Sequence, residues 1–233
     1  MKVTGINMRN LLIVLCLLVL NTTALPAMAD DPEAPPEYIA DGLKLVPDTR
    51  DVSMVWLRPG VDLAQYQSVY LVEPYVAFRK DWLKDQNRGH PSIRITASDM
   101  EDIKSDIKGL LREVFTEELL AAGFTFAELR APGVMIVKPA ILDLDINAPD
   151  IQSSGTTDIL ASAAGSMKLY LEIYDSITEQ LIVKAVDQAL DRDAGQMQTQ
   201  KRVANRAAAK RMMTPWAKAL GRRFAAPAEA SQK

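Results

Sequence analysis

The chain has 233 residues, 48% hydrophobic and 24% charged, with 11 Gly, 13 Pro and one Cys, and a formal net charge of −3. That composition excludes collagen-like, mucin-like and wholly disordered chains, and the length suits one domain or two small ones. A mildly acidic balance argues against nucleic acid as the general partner.

Residues 1–29 read as a secretory signal peptide. Lys2 and Arg9 form a positive head, Leu11–Leu20 is an unbroken apolar run, and Ala27-Met28-Ala29 places small residues where a signal peptidase reads them. Ten apolar residues as helix span about 15 Å, half of a hydrocarbon core, so cleavage is favoured over anchoring. Cys16 follows Val14 and Leu15, neither small, and the apolar run continues past it, so it reads as filler and not as a lipidation site. A mature chain from Asp30 has no cysteine, which removes disulfides, thiol nucleophiles and thiolate metal sites together. The expected localisation is periplasmic.

Residues 30–39 are acidic and Pro-rich and read as a flexible leader, ahead of a single domain over 40–225 and a frayed tail over 226–233. Ala40–Gly60 carries three turn signals and one short strand, Met54–Leu57. Ser68–Phe78 reads as one buried strand, weakened by Pro74. Arg79–Pro91 reads as a polar loop holding Trp82 and the only histidine, His90.

A long helix follows, about 24 residues, with a capping box expected between Ser98 and Glu101 and Gly123 as its C-terminal cap. Ile103, Ile107, Leu110 and Val114 form its apolar stripe. Gly133–Ile146 reads as a strand whose second face, Met135 to Asp145, shifts from apolar to acidic. Ala148–Ala164 reads as a loop. Ser166–Asp175 alternates cleanly, with Met167, Leu169, Leu171 and Ile173 on one face and Lys168, Tyr170, Glu172 and Tyr174 on the other. It pairs through a turn at 175–180 with Leu181–Gln188 as a hairpin. Gln198–Phe224 reads as a helix, kinked or restarted at Thr214-Pro215, with Trp216, Leu220 and Phe224 on one face. The expected class is α+β: a mostly antiparallel sheet packed with one long central helix and a C-terminal helix, a sandwich.

The chemistry available is narrow. Asp143 and Asp145, at i and i+2 on one strand face, can meet a hard cation, but no Ca²⁺ loop pattern accompanies them, and no metal site is assigned. There is no G-x-S-x-G elbow, no phosphate-binding glycine loop and no orienting partner for His90, so no catalytic residue and no cofactor is assigned. The C-terminal helix holds eight basic residues and no acidic one between Asp193 and Glu229. Lys201, Arg202, Arg206, Lys210 and Arg211 are candidates for a membrane surface or an acidic partner. They spread around the helical wheel, which favours a helix packed on an acidic body. Trp56, Arg58, Asp62 and Tyr66 combine aromatic, charged and turn chemistry as a weak binding candidate; Pro59-Gly60 with Asp62 as a cap explains them equally as a structural corner.

Several stretches resemble one family: Tyr38–Leu45, Trp56–Tyr66, Val72–Phe78, Lys138–Asp150, Gly165–Asp175 and Trp216–Leu220, with the P-G-x-D-L-x-x-Y run and E-x-x-D-S as the most specific pieces. They are similar to the bacterial envelope proteins grouped as domain of unknown function 3313. The resemblance implies an exported protein of a Gram-negative bacterium, with no assigned activity or catalytic residues to carry over. Many members are lipoproteins, but this chain lacks their small-residue-then-Cys exit, which points to a soluble form. Thr178-Glu179 stands where a glycine after the Thr is usual, implying a different turn geometry.

The expectation is a non-enzymatic envelope domain that binds or scaffolds an envelope protein or ligand. The alternatives are a hydrolase using carboxylates near Asp143, Asp145 and Asp175, and a module held peripherally on the membrane by its basic helix.

Overall fold

The computed structural model describes residues 35–47, 49, 51–89, 94–145, 160–161, 165–190, 198–199 and 202–224. Residues 1–34, His90, Lys201, 225–233 and nearly all of 146–164 lie outside the described residues, so the expected signal segment, half of the expected leader and the expected tail are not described.

The class is α+β, with a mostly antiparallel eight-stranded sheet. Its strands are β1 (Lys44–Leu45), β2 (Met54–Leu57), β3 (Ser68–Leu71), β4 (Tyr75–Phe78), β5 (Thr125–Phe126), β6 (Val134–Asp145), β8 (Ser166–Asp175) and β9 (Leu181–Leu190). They run in the order β1-β2-β9-β8-β6-β3-β5, and β4 pairs with β6 beyond β3. A separate two-stranded pair joins β7 (Leu160–Ala161) to β10 (Gln198–Thr199). The helices are α1 (Trp82–Gly89), α2 (Ala97–Ala121) and α3 (Arg202–Phe224).

The expected single strand over 68–78 is two. β3 pairs in parallel with Val134–Val137 and β4 in parallel with the Ala140–Leu144 stretch, both on the same edge of β6. The break falls at Val72-Glu73-Pro74, because proline has no N–H to give a ladder.

In β6 the structure decides which of the two parities faces the core. Met135, Val137 and Ile141 are buried in the core, so the parity that ends in Asp143 and Asp145 is the inner one. A bulge ends the alternation: the register with β8 shifts between Leu142 and Asp145, and Asp143 adopts φ +50°. The extra residue turns Leu144 inward, 1% exposed, and leaves Asp143 exposed, while Asp145 is half-buried with its Oδ1 out of water and unpaired among the described residues.

The polar loop expected at Arg79–Pro91 contains α1. Trp82 is fully buried and stacks on Phe78, ring centroids 4.1 Å apart, so burying an indole turns a polar stretch into a helix that docks. The cap of α2 sits two residues earlier than expected. Thr96 accepts from the Asp99 N–H, while Asp99 accepts from the Thr96 N–H at 2.8 Å. Both boxes fit the sequence pattern; the observed one starts the helix earlier. Helix α3 starts at Arg202, after β10, and runs unbroken through Pro215.

Helices α2 and α3 cover one face of the sheet. α2 buries Ile107, Leu110, Leu111, Val114, Phe115 and Leu119. α3 buries Ala209, Met213, Trp216, Ala217, Leu220 and Phe224 against the same core. Gly221 lets the helices approach: a Cβ there would lie 2.8 Å from that of Ala122. The basic charges of α3 meet the acidic ones of α2. Arg206 and Lys210 pair with Glu113, and Lys210 also with Glu117 at 2.8 Å. Arg222 reaches Asp51 at 2.6 Å.

The hairpin turn keeps the geometry a glycine would give, contrary to expectation. Glu179 adopts φ +55°, the left-handed region glycine enters most easily.

Candidate functional site

The face of the sheet away from the helices carries the most organised side-chain array. Alternation in β8 puts Tyr170, Glu172 and Tyr174 there, opposite the buried Leu169, Leu171 and Ile173. Register then builds three rows across the strands. Met54, Val186, Tyr170, Ala140 and Tyr75 align in one. Trp56, Lys184, Glu172 and Lys138 align in the next. Tyr174, Ile136 and Tyr70 form the third. Four of the six tyrosines of the chain therefore share one face. The segment before β2 closes one end of it, with Leu43, Trp56 and Leu181 buried together. At the other end Tyr70, Ile136, Lys138 and Tyr174 line a shallow cavity of about 390 Å³ with Leu129 and Arg130.

Glu172 is the hub. It accepts hydrogen bonds from the hydroxyls of Tyr170 and Tyr174, both at 2.7 Å. Lys138 sits 4.2 Å from the Tyr174 ring centroid and Lys184 5.1 Å from that of Tyr170. Burial pushes the Glu172 carboxyl up, but the two tyrosine hydroxyls and the charges of Lys184 and Lys138 outweigh it, and the group titrates below its ordinary range. Burial and the Glu172 carboxylate hold the Tyr174 phenol well above its usual value. The Tyr170 side chain, against desolvation, raises Lys184. The row sets one carboxylate, Glu172, between the ammonium groups of Lys184 and Lys138.

The residues singled out in the sequence are dispersed, with one pair brought together. Tyr66, 3% exposed, donates its hydroxyl to Asp175 Oδ2 at 3.0 Å. Asp175 Oδ1 accepts from the N–H groups of Ile177 and Thr178 and from the Thr178 hydroxyl. Burial raises the Asp175 carboxyl, and these donors more than reverse it. Burial and the Asp175 carboxylate push the Tyr66 phenol up.

Trp56 donates to the Pro36 carbonyl at 3.0 Å, Arg58 to the carbonyls of Leu181 and Asp41, and Asp62 caps the short 3-10 turn Leu63–Gln65. Each has a structural partner, as a corner requires. Asp143 pairs with Lys168 and Asp145 with Arg79, each at 2.7 Å, so the two carboxylates serve separate ion pairs. Arg206 and Lys210 are engaged with α2 as described, and the side chains of Arg202 and Lys201 lie outside the described residues. Arg211 also has an interaction partner. Among the described residues no three His, Cys, Asp or Glu side chains gather to hold a metal, and no helix is long and apolar enough to cross a membrane.

The polar face of β8 was legible from its alternation. Tyr70, Tyr75, Lys138 and Lys184 were missed as its neighbours, because cross-strand register is not written in any one strand.

Comparison with known proteins adds the following. No curated protein gives a match. Among solved structures the chain is similar to the PelC dodecamer from Paraburkholderia phytofirmans, at 11% identity and a TM-score of 0.37, covering 72% of this chain and 96% of that one. It is similar to protein XCC0632 from Xanthomonas campestris at 13% identity and a TM-score of 0.37, covering 71% and 86%. The family model described as "Protein of unknown function (DUF3313)" matches residues 38–220, and this chain is a member of that family.

Proposed function

We propose that the protein is exported, with cleavage before Asp30, and acts in the periplasm as a non-enzymatic domain that binds or scaffolds an envelope component through the tyrosine-lined sheet face. The observation that carries the reading is the array around Glu172. Four tyrosines flank a Lys–Glu–Lys row, and the hydrogen bonds and cation–π contacts of Tyr170 and Tyr174 fix the orientation of its side chains. A preorganised face of amphipathic rings suits recognition, because tyrosine offers large contact area with little side-chain entropy to lose. Acid–base chemistry needs a group that changes protonation near working pH, and Glu172 and Asp175 are both held in the ionised state.

The test has two parts. Intact mass and fractionation of the protein from a Gram-negative host should give a chain beginning at Asp30 in the periplasmic fraction. An uncleaved mass in the membrane, or a lipid adduct on Cys16, would overturn the export reading. A photo-crosslinking residue at Tyr70 or Tyr75 should then capture the same envelope component in living cells, while one at Glu117, on the helix layer, should not. Equal capture from Glu117 would refute the assignment of the face.

A further inference from the structure

A second concavity lies between α1, the end of β4 and the start of α2. It has a volume of about 830 Å³ and is separate from the tyrosine face. Its lining is one-sided in charge: Arg79, Lys84, Arg88, Arg94 and Lys104 against a single carboxylate, Asp81. The chain as a whole is at −3. Several of these cations are already engaged. Arg79 is held by Asp85 and Asp145, each at 2.7 Å. Lys104 pairs with Glu101 at 2.7 Å, and Arg88 lies 3.4 Å from Asp85. Lys84 and Arg94 line the same cavity and make no hydrogen bond or close ion pair among the described residues, although the Lys84 charge acts at longer range on Asp85.

The rest of the lining is apolar. Phe78 and the indole of Trp82 are stacked at 4.1 Å, and Leu83, Met100 and Ala77 lie beside them. Asn87 contributes rigidity and not a free polar group, because its amide is spent on both backbone groups of Ile95, at 2.9 and 2.8 Å. Unpartnered cations at the rim of an apolar recess complement an anion attached to an apolar body: the anion meets charge it does not have to take from an existing pair, and the body replaces water over the apolar lining.

We propose that this cavity binds an anionic amphiphile, with Lys84 and Arg94 meeting a phosphate-bearing headgroup and the Phe78–Leu83–Met100 surface, backed by the buried Trp82, meeting its apolar part. The same headgroup chemistry can come from a free monomer or from a bilayer, and the two are separated by the choice of probe.

The probes are dihexanoyl phosphatidic acid below its micelle concentration, dihexanoyl phosphatidylcholine, inorganic phosphate, and phosphatidylcholine vesicles with and without phosphatidylglycerol. Calorimetric titration of the full chain should show the monomeric phosphatidic acid binding at least tenfold more tightly than either phosphatidylcholine or inorganic phosphate. The double variant Lys84→Ala/Arg94→Ala should weaken it at least tenfold, and Asp81→Asn, which removes the one carboxylate and keeps a residue tolerant of the φ of +61° found there, should tighten it severalfold. Tyr70→Ala should leave it unchanged, which separates this cavity from the tyrosine face. Pelleting with anionic vesicles that depends on Lys84 and Arg94 identifies a membrane source; monomer binding without pelleting identifies a free amphiphile. Either supports the proposal. Phosphate binding as tightly as the amphiphile, no binding of phosphatidic acid, or binding indifferent to both variants overturns it.

Discussion

Replacing Tyr66 by Phe isolates one interaction that ties the start of the sheet to the hairpin turn. The ring is 3% exposed and packs near Phe224, centroids 6.3 Å apart, and Phe keeps that packing. The single loss is the hydroxyl's bond to Asp175 Oδ2 at 3.0 Å. A hydrogen bond to a charged acceptor contributes about 1.5–3 kcal/mol, and Asp175 is only half-buried, so water recovers part of it. The expected destabilisation at pH 7 is therefore about 1.5 kcal/mol, read from urea unfolding by linear extrapolation. Asp175→Ala should cost more, because three Oδ1 bonds in the turn go with it. In that background Tyr66→Phe should cost under about 0.5 kcal/mol, since the acceptor is already gone. The pH dependence has a fixed sign. The Asp175 carboxyl is lowered in the folded state, so its contribution is present above the unfolded value, near 3.9, and is lost as pH falls through the folded value. The gap between wild type and Tyr66→Phe should narrow below about pH 4 for the same reason. A Phe variant as stable as wild type at pH 7, or deficits that simply add in the double variant, would refute this account.

Four further substitutions test packing against local preference. Gly221→Ala adds a helix-favouring residue, which by propensity alone gains about 1 kcal/mol, but its Cβ would meet that of Ala122 at 2.8 Å; net destabilisation of at least about 1 kcal/mol in thermal or urea unfolding is expected, and a gain would show that α2 and α3 can part cheaply. Glu179→Gly relieves the left-handed backbone at φ +55° and forfeits the exposed pair with Arg130; a net gain of about 0.5 kcal/mol by urea unfolding is expected, and a loss would mean the ion pair outweighs the backbone term. Thr96→Ala removes the cap of α2 and should cost about 1 kcal/mol in urea unfolding, whereas Ser98→Ala should cost little because Ser98 is not the cap; the reverse order would restore the later capping box.

Local pattern carried much of the fold. The 3.6-residue stripe of α2, the two-residue alternation of β8 and the turn chemistry at Asp175 each depend on neighbours within a few positions, and each element lies where that chemistry places it. Trp82 shows where such reading stops. Nothing in its polar flanks marks a helix; the element exists because Phe78 offers an indole-sized contact. Asp143 shows the same for β6, where strict alternation would carry two carboxylates along the inner face and a bulge in the pairing with β8 puts Leu144 inward instead.

The candidate faces divide the same way. By itself the sequence determined the class, the placement of its one cysteine at position 16 and the polar side of β8, because composition and periodicity are properties of a single segment. The tertiary structure alone decided that Tyr66 meets Asp175 across 109 positions, that Arg206 and Lys210 of α3 are matched by Glu113 and Glu117 of α2, and that four tyrosines from three strands share the face that holds Glu172. Those outcomes depend on strand register and helix packing, which are set by how the whole core fills and not by any run of residues within it.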